Sequence, residues 1–432
     1  MKHDRRPSSL DGIDGLSEHG SLAAEPATVA SLADGAEACF LLRGPDGLRE
    51  GTGCRRRLVP GTTATLAARV DAFFADTVPG DAPAVLVGAL PFDPAQHDHL
   101  YQPLRFSVAD AARVREAAPS VPLLDPKGLH ARQLPTVSDY AHAVAECVAR
   151  LRGVGGASPS STARERVARG AASGPLRKVV LARSLHVEAH RRIDPFALAA
   201  RLDVDPAVTT FVASLPVANG EPPAWLVGAT PELLVSRRGR AVLSHPLAGS
   251  ARRSADAQAD RQSAHALLAS DKDQHEHRFV VEAILDGLSP LCSRLQAATQ
   301  PSLHATATMW HLGTRIAGVL KDPDLSAAAL AAILHPTPAV CGTPRLPALR
   351  AIRELEPADR GFYAGAVGWS DAAGDGDWDV SIRCAHLQGQ AMRLFAGAGI
   401  VADSVPALEV EETSAKFMAM LNAMGIPDNS VL

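Results

Sequence analysis

The sequence predicts a mixed fold of helices and strands, α/β or α+β, with a large share of antiparallel sheet. Its strand-like runs outnumber those that a strict alternation of strands and helices would need. Near the C-terminus three such runs, FYAGAVGWS, DVSIRCAHLQ and AMRLFAGAGIV, follow one another across short connections, which is typical of a meander. The 432 residues are 46% hydrophobic and 21% charged, a composition that supplies a sizeable core.

The first third of the chain combines short strands with two loose segments. Residues 1–30 mix Ser, Gly, Asp and Arg without periodicity, which predicts a flexible tail. Over residues 31–130, apolar runs such as APAVLVGALPF alternate with Pro and Gly turns and predict the small strands of an N-terminal lobe. In TVSDYAHAVAECVARLR, apolar residues at helical spacing follow Ser138, the expected N-cap. The Gly- and Ser-rich residues 153–174 predict a flexible insertion.

The remaining elements follow in a denser pattern. KVVLARSLHVEA predicts a strand, and DPFALAARLDV predicts a helix with Asp194 as its cap and Pro195 at its first position. The run from Trp225 to Ser250 alternates like a hairpin that turns at Arg238 and Gly239. Two further helices are predicted, a long one over most of residues 255–287 and an amphipathic one over residues 406–424.

Charge and cysteine usage exclude several classes of protein. A formal net charge of -4 gives no general attraction to nucleic acid or to anionic membranes. The six cysteines form no CxxC pair and no secretory segment precedes them, which favours a reducing cytoplasm. No apolar run reaches the roughly 20 residues that span a bilayer. We therefore expect a cytoplasmic protein without nucleic-acid or membrane partners.

The segment SDKDQHEHRFVVE raises the question of a metal site. The two histidines of HEH are two residues apart and point to nearly opposite sides of a helix, whereas a helical zinc motif needs a separation of four. Asp273 and Glu276 are three apart and share a face. The alternative interpretation is a charged, solvated helix face.

A second acidic turn, LEVEETSAK, lies in the last predicted helix. Glu409 and Glu412 are three apart, and Lys416 follows one turn later on the same face. Two helices that each carry such a carboxylate pair can converge on one Mg²⁺, an ion that prefers oxygen ligands. The alternative is that exposed Glu and Lys side chains merely stabilise the helix.

Three other motifs do not complete a known site. DAAGDGDWD resembles a calcium loop, but Val380 and His386 stand where an EF-hand needs Gly and Glu, so a polar hairpin turn is the simpler prediction. AGAGIV lacks the third glycine of a dinucleotide fingerprint. Cys341 has no companion signature of a nucleophile and is interpreted as structural.

Two single residues keep two interpretations each. Lys178 begins the strand KVVLAR and is predicted either at a solvated strand edge or as a partly buried base. Glu232 follows Pro231 and is either a turn residue or a general acid. Their spacing does not choose between these roles.

The segments together resemble the chorismate-utilising enzymes, and among them the isochorismate synthases that supply catecholate siderophores. The motifs that carry this resemblance, in order, are KVVLAR, GATPELL, SHPLAGSARR, LLASDKDQHEH, MWHL, LHPTPAVCGTPR, FYAGAVGW, SIRCA, AGAGIV and EETSAKF. The resemblance implies a single large α/β domain with antiparallel sheets at its centre and helices outside. It also implies a variable part over residues 31–130 and a catalytic region over residues 131–432.

The resemblance implies a reaction and a role for each matching residue. Lys178 would activate water for attack at C2 of chorismate, and Glu232 would protonate the hydroxyl that leaves C4. Glu276 and Glu412 would bind Mg²⁺, with Asp273 and Glu409 nearby. The implied substrate-binding residues are Gly249, Ser250, His311, Ala339, Arg383, Gly397, Gly399 and Lys416.

The product is assigned from a few positions. Anthranilate and aminodeoxychorismate synthases lack a lysine at the position of Lys178, and the latter carry one where this chain has Ala248. Salicylate synthases keep the lysine of Lys178, eliminate pyruvate and commonly have Thr in place of Ala339. Ala339 matches the isochorismate synthases, but Val340 stands where some of these have leucine, which keeps the salicylate alternative open. An isomerase is expected, with a menaquinone-pathway synthase and a non-catalytic homologue as further alternatives. The implied partners are chorismate and isochorismate, with a monomeric enzyme in transient contact with a downstream isochorismatase or lyase.

Overall fold

Strands dominate the structure, and helices flank them. The computed structural model of the chain describes residues 38–76, 83–110, 123–124, 129–153 and 174–426. The described strands are β1 Cys39–Gly44, β2 Gly47–Thr52, β3 Arg56–Arg57, β4 Val85–Leu90, β5 His99–Gln102, β6 Arg105–Ala109, β7 His130–Leu134, β8 Lys178–Glu188, β9 Thr209–Leu215, β10 Ala224–Thr230, β11 Leu233–Arg238, β12 Ala241–His245, β13 Leu247–Arg252, β14 Cys292–Ala297, β15 Ser302–Ala305, β16 Met309–Gly313, β17 Ile316–Leu320, β18 Gly342–Thr343, β19 Ala366–Asp371, β20 Gly376–Val380, β21 Cys384–Gln388 and β22 Ala391–Ile400. The described α-helices are α1 Leu66–Ala75, α2 Val137–Leu151, α3 Pro195–Leu202, α4 Ala257–Ala269, α5 Asp271–Leu288, α6 Ala327–Leu334, α7 Arg345–Leu355 and α8 Pro406–Met424.

The described strands form three sheets, and all of their pairings are antiparallel, which exceeds the large share of antiparallel sheet that was predicted. The first sheet has the order β18-β8-β22-β21-β10-β9-β1-β2-β6, with β7 also paired to β8. The second has the order β14-β17-β12-β11-β20-β19-β4-β5-β3, and the small sheet is β13-β16-β15. The predicted strands of the N-terminal part extend the first two sheets and do not form a lobe of their own. The boundary at residue 131 stays a prediction.

Alternating side chains place two cores on the two faces of the first sheet. In β10, Leu226 faces a core that it shares with residues of the second sheet such as Leu86 and Trp378. Its neighbour Trp225 faces the opposite core, which Phe417 of α8 helps to fill. This alternation follows from the two-residue period of a strand. The two large sheets therefore share one core, and α8 packs against the other side of the first sheet.

Most helix predictions are confirmed, and two need correction. Helix α3 begins after Asp194 with Pro195 at its first position, and α8 covers residues 406–424, both as predicted. The cap of α2 is Thr136, whose side chain accepts a hydrogen bond from the N–H of Asp139, so Ser138 lies inside the helix. The single long helix over 255–287 is wrong, because Ser270 ends α4 and caps α5.

The predicted C-terminal meander is wrong, because its strands belong to two sheets. β19 and β20 pair in the second sheet, whereas β21 and β22 pair in the first. The chain crosses between the sheets at residues 381–383, where Arg383 has a positive φ of 51°. The predicted hairpin over 225–250 is divided in the same way, and only β11 and β12 form a hairpin, which turns at residues 239–240. Apolar runs of two buried sheets look alike in sequence, which explains both errors.

The acidic segment DAAGDGDWD is only partly a turn. Asp375 lies in the turn between β19 and β20, but Asp377 and Asp379 lie within β20 and are buried. Asp377 is 2.7 Å from the guanidinium of Arg238 and accepts a hydrogen bond from the indole N–H of Trp369. A paired charge of this kind can be buried in a strand. The prediction of a turn was therefore wrong for these two residues.

Two predictions concern segments outside the described part of the chain. These are the flexible tail over residues 1–30 and nearly all of the insertion over residues 153–174. Among the helices described, none is long and apolar enough to cross a membrane.

Candidate active site

Lys178 is buried at the start of β8 and faces a glycine-lined surface. Its side chain has no exposed area, so the prediction of a solvated strand edge is wrong. Val180, two residues later on the same face, stands opposite Gly399 of β22 in the antiparallel register. Because Gly399 has no side chain, the amine and a partner fit into the space above it. Lys178 Nζ lies 2.9 Å from Oε1 of Glu276.

Glu276 reaches Lys178 from helix α5. It is buried, so the interpretation of this segment as a solvated face is wrong for the glutamate. Its neighbours confirm that HEH is not a zinc site: His275 is exposed and packs on Phe279, while His277 is buried and bonded to the hydroxyl of Thr314 at 2.7 Å. The three residues of HEH therefore face three different environments.

Gly399 allows a sharp test of this geometry. A Cβ atom at this position would lie 2.2 Å from Oε1 of Glu276 and 3.0 Å from Cε of Lys178. Both atoms belong to flexible side chains, so the fold can adjust while the two functional groups must move. We expect Gly399→Ala to lose at least about tenfold in kcat/KM with little change in Tm. Gly174→Ala is the control, since its nearest neighbour would be 3.7 Å away; a Gly399→Ala enzyme of normal activity would contradict the geometry.

The acids of α8 face the same region and are buried to different degrees. Glu412 accepts a hydrogen bond from Ser250 at 3.2 Å and pairs with Lys416 at 2.5 Å. Burial would raise the pKa of Glu412, but Lys416 outweighs it and the pKa is lowered. Glu409 is 1% exposed, and burial followed by the nearby Glu412 raises its pKa. Glu409 is paired with Lys272 at 2.7 Å.

Arg183 fixes α8 to the strand that carries Lys178. Its buried guanidinium donates to the hydroxyls of Thr413 at 2.9 Å and Ser414 at 2.6 Å, both in the motif EETSAK. A planar guanidinium with several fixed partners sets the position of the helix along its axis. The acids of α8 are thereby held in register with β8.

Glu232 lies where the chain crosses from β10 in the first sheet to β11 in the second. It is 3% exposed. Burial raises its pKa to about 8, although a backbone hydrogen bond from Leu247 and the charges of Lys178 and Arg383 oppose the rise. At neutral pH the carboxyl is therefore mainly protonated, which is the form that a general acid needs.

Cationic and neutral polar groups oppose these acids. Arg383 stands at the second crossing between the large sheets, and its strained positive φ marks a position that the surrounding structure holds in place. Lys416 donates to the carbonyl of Gly397 at 2.8 Å. His311 of β16 is buried and stands opposite Ser250 of β13 in the register of the small sheet. Burial, and then the charge of Arg383, lower the pKa of His311 well below the usual range. His311 is therefore a neutral group at physiological pH.

One cavity collects most of the predicted site residues. Its lining includes Glu232, Gly249, Ser250, Glu276, His311, Ala339, Arg383, Gly397, Gly399, Glu412 and Lys416. The other three lie next to this lining: Lys178 beside Glu276, Asp273 beside Gly249, and Glu409 one turn before Glu412 on α8. Every residue predicted for the site is therefore in or beside one region, although the sequence positions span 239 residues (Lys178 to Lys416).

The acids suit a hard divalent cation. Carboxylate oxygens are the ligands that Mg²⁺ prefers, and Asp273, Glu276, Glu409 and Glu412 bring four carboxylates into or beside this region. Burial and then Glu276 raise the pKa of Asp273, which reflects repulsion that a cation relieves. No group of three acids, histidines or cysteines among the described residues already has the spacing of a metal cluster. Three of the acids are instead each paired with a lysine.

Three residues of this region were not predicted from the sequence. Tyr363 lines the cavity and stacks on Phe395 with a centroid distance of 4.6 Å. Arg183 and Lys272 contact the acidic helix, as described above. Each lies within a quoted motif, and Tyr and Lys are rare in this chain, with three and six residues. That rarity was the available signal for Tyr363 and Lys272, whereas arginine is common in this chain and Arg183 had no such signal.

Comparison with known proteins identifies the family. The model of the family described as chorismate binding enzyme matches residues 161–425, so the chain belongs to the chorismate-binding enzymes. It is 42% identical to the isochorismate synthase DhbC of Bacillus subtilis over 354 residues, 80% of this chain and 82% of that protein. It is 38% identical to the isochorismate synthase EntC of Escherichia coli K12 over 360 residues, 83% and 86% of the two chains.

A solved structure confirms the predicted architecture. DhbC from Bacillus anthracis has a TM-score of 0.79 to this chain at 37% identity, and the match covers 90% of this chain and 97% of that one. The prediction of a mixed fold with central antiparallel sheets is therefore confirmed, as is the family resemblance.

Proposed function

We propose that this chain is a Mg²⁺-dependent isochorismate synthase that interconverts chorismate and isochorismate. The observation that carries the proposal is the position of two buried groups: the amine of Lys178 lies against Glu276 of the cavity lining, and the carboxyl of Glu232 lines the same cavity. Similarity to isochorismate synthases over four fifths of the chain supports it. The enzyme is an isomerase, since a hydroxyl is gained at C2 and lost at C4 without a net change in composition.

Base and acid divide the reaction between them. Lys178 accepts a proton as water attacks C2, the ring double bonds shift, and Glu232 donates a proton to the hydroxyl that leaves C4 as water. In the reverse direction the two residues exchange roles. A bound Mg²⁺, held by Glu276 and Glu412 with Asp273 and Glu409 nearby, would supply positive charge for the ring carboxylate.

The other cavity residues bind and orient the substrate. Chorismate carries two carboxylates, and Arg383 and Lys416 are the cationic side chains that line the cavity. Gly397 lines the cavity beside Gly399, and Gly249, Ser250 and His311 line the side formed by the small sheet. Charge pairing of this kind offsets the repulsion between a dianion and four acids.

The acid predicts a pH dependence. Below its pKa, Glu232 carries the proton that it donates, and above the pKa it does not. We therefore expect kcat/KM for chorismate to fall as pH rises through about 8. Measuring kcat/KM between about pH 6 and 9.5 tests this, with Glu232→Gln as the variant that lacks the titrating group. A flat profile through this range would contradict the assignment.

A product assay tests the proposal and its alternatives. Purified enzyme with chorismate and Mg²⁺ should form isochorismate without releasing pyruvate. Pyruvate release would indicate a salicylate synthase, the alternative kept open by Val340, which lines the cavity beside Ala339. No consumption of chorismate would indicate a non-catalytic homologue.

The pathway is proposed from the relatives. DhbC of Bacillus anthracis, described as 2,3-dihydroxybenzoate-specific, supports a role in supplying a catecholate siderophore, and a menaquinone-pathway enzyme is the alternative. A cytoplasmic monomer in transient contact with a downstream isochorismatase or lyase is part of the same proposal. Co-purification tests this contact: recovery of an isochorismatase or lyase with the protein would support it, and recovery of neither would count against it.

A further inference from the structure

Lys272 forms an ion pair that joins the two acidic helices. It lies in the first turn of α5, beside Asp273, and its Nζ is 2.7 Å from Oε1 of Glu409 in the first turn of α8. Glu409 is 1% exposed, while Lys272 keeps about a third of its side-chain surface. The lysine therefore satisfies one oxygen of a carboxylate that solvent hardly reaches.

The carboxylate of Glu409 has accepting capacity beyond these contacts. Besides Lys272, the side chain of Ser404 hydrogen-bonds to it. A carboxylate has about four acceptor sites, so two donors leave capacity for a second cation. Lys272 also lies close enough to Glu412 and Glu276 to interact with their charges. It is thus a fixed positive charge beside the acids to which the proposed function assigns Mg²⁺.

The three lysines of this region have different partners. Lys178 is paired with Glu276 and Lys416 with Glu412, and the proposed function gives both lysines a second role, as base and as substrate contact. Lys272 has no such role, because it is absent from the cavity lining. Its contact with Glu409 is its one ion pair in the described part of the chain.

We propose that Lys272 is a positioning residue: its ammonium group acts as an internal cation that holds the carboxylate of Glu409. In this role it competes with Mg²⁺ for the carboxylates of α5 and α8. The inference rests on the proposed function, since it concerns the same metal site. Without metal, the lysine balances a buried anion and keeps α5 and α8 together. When Mg²⁺ binds, the two like charges repel, and this repulsion weakens metal binding.

Two effects of Lys272→Met follow, and they have opposite signs. Loss of a positive charge should tighten Mg²⁺ binding about tenfold, measured by calorimetry with MgCl₂ and full-length protein without chorismate. The same variant should have a lower Tm than wild type in EDTA, because Glu409 is left buried and unpaired. Mg²⁺ should therefore raise the Tm of the variant more than that of wild type. A purely structural role would lower Tm without tightening metal binding.

Matched variants distinguish the possible results. Lys272→Arg keeps the charge and should have wild-type Mg²⁺ affinity. Lys321→Met removes an exposed lysine that donates a hydrogen bond to the carbonyl of Pro290, and it should change neither Mg²⁺ affinity nor Tm. In a Glu409→Gln background, Lys272→Met should have a smaller effect. If wild type binds Mg²⁺ and Lys272→Met binds it equally or more weakly, this inference is wrong while the proposed function stands. Absence of Mg²⁺ binding by wild type overturns the proposed function and this inference with it.

Discussion

Lys178→Ala is expected to lower kcat for isochorismate formation about 10³-fold, the loss typical of removing a general base. The physical reason is that Lys178 is the lysine in contact with the Gly399 position, whereas Lys416, the lysine of the cavity lining, is paired with Glu412. The variant should fold but have a lower Tm than wild type, because Glu276 is left buried without its partner. Activity is measured by the initial rate of isochorismate formation, and folding by Tm.

The control for this prediction is Lys321→Ala, which removes a lysine that lies outside the cavity. Mg²⁺ binding by Lys178→Ala should persist, because Glu276 loses only its competing cation. That result separates loss of the base from loss of the metal. A Lys178→Ala enzyme with wild-type kcat would show that another group activates water.

Glu276→Gln is expected to abolish Mg²⁺-dependent turnover, with a loss of at least about 100-fold in kcat/KM at any practical Mg²⁺ concentration. The amide keeps the size of the side chain but loses the charge that attracts both Mg²⁺ and Lys178. The measurement is a titration of initial rate against MgCl₂, together with metal binding by calorimetry.

His275→Ala is the matched control one position away on the same helix. The histidine is exposed and its ring packs on Phe279 at a centroid distance of 4.5 Å. It should keep nearly normal Mg²⁺ dependence. Equal losses of Mg²⁺-dependent turnover in the two variants would mean that any change at this end of α5 impairs the enzyme, and that the carboxylate of Glu276 is not specifically required.

Local signals in the sequence were enough for several elements. Asp194 with Pro195 defines the start of α3, and the apolar period of the last helix defines α8 to within its observed ends. These features depend on a few neighbouring residues, through capping and through helical spacing. The i, i+3 spacing of the acids likewise predicted which carboxylates share a face.

Features that depend on contacts between distant segments were not predictable from pattern. The chain changes sheets at residues 231–232 and 381–383, and no local signal distinguishes such a crossing from a turn within one sheet. These two crossings carry Glu232 and Arg383, so the errors of topology fall at the candidate site. The burial of Lys178 depends on Gly399, more than 200 positions away in the sequence. The resemblance to a family, and not the pattern, assigned roles to these residues.

The most direct test of the central claim follows the oxygen that enters the product. Chorismate converted by the wild-type enzyme in water enriched in oxygen-18 should give isochorismate with one heavy oxygen, located in the C2 hydroxyl. This result is expected because Lys178 activates a solvent water while the C4 hydroxyl leaves with a proton from Glu232. Unlabelled isochorismate would contradict the account, because it would mean that the original hydroxyl migrates within the substrate.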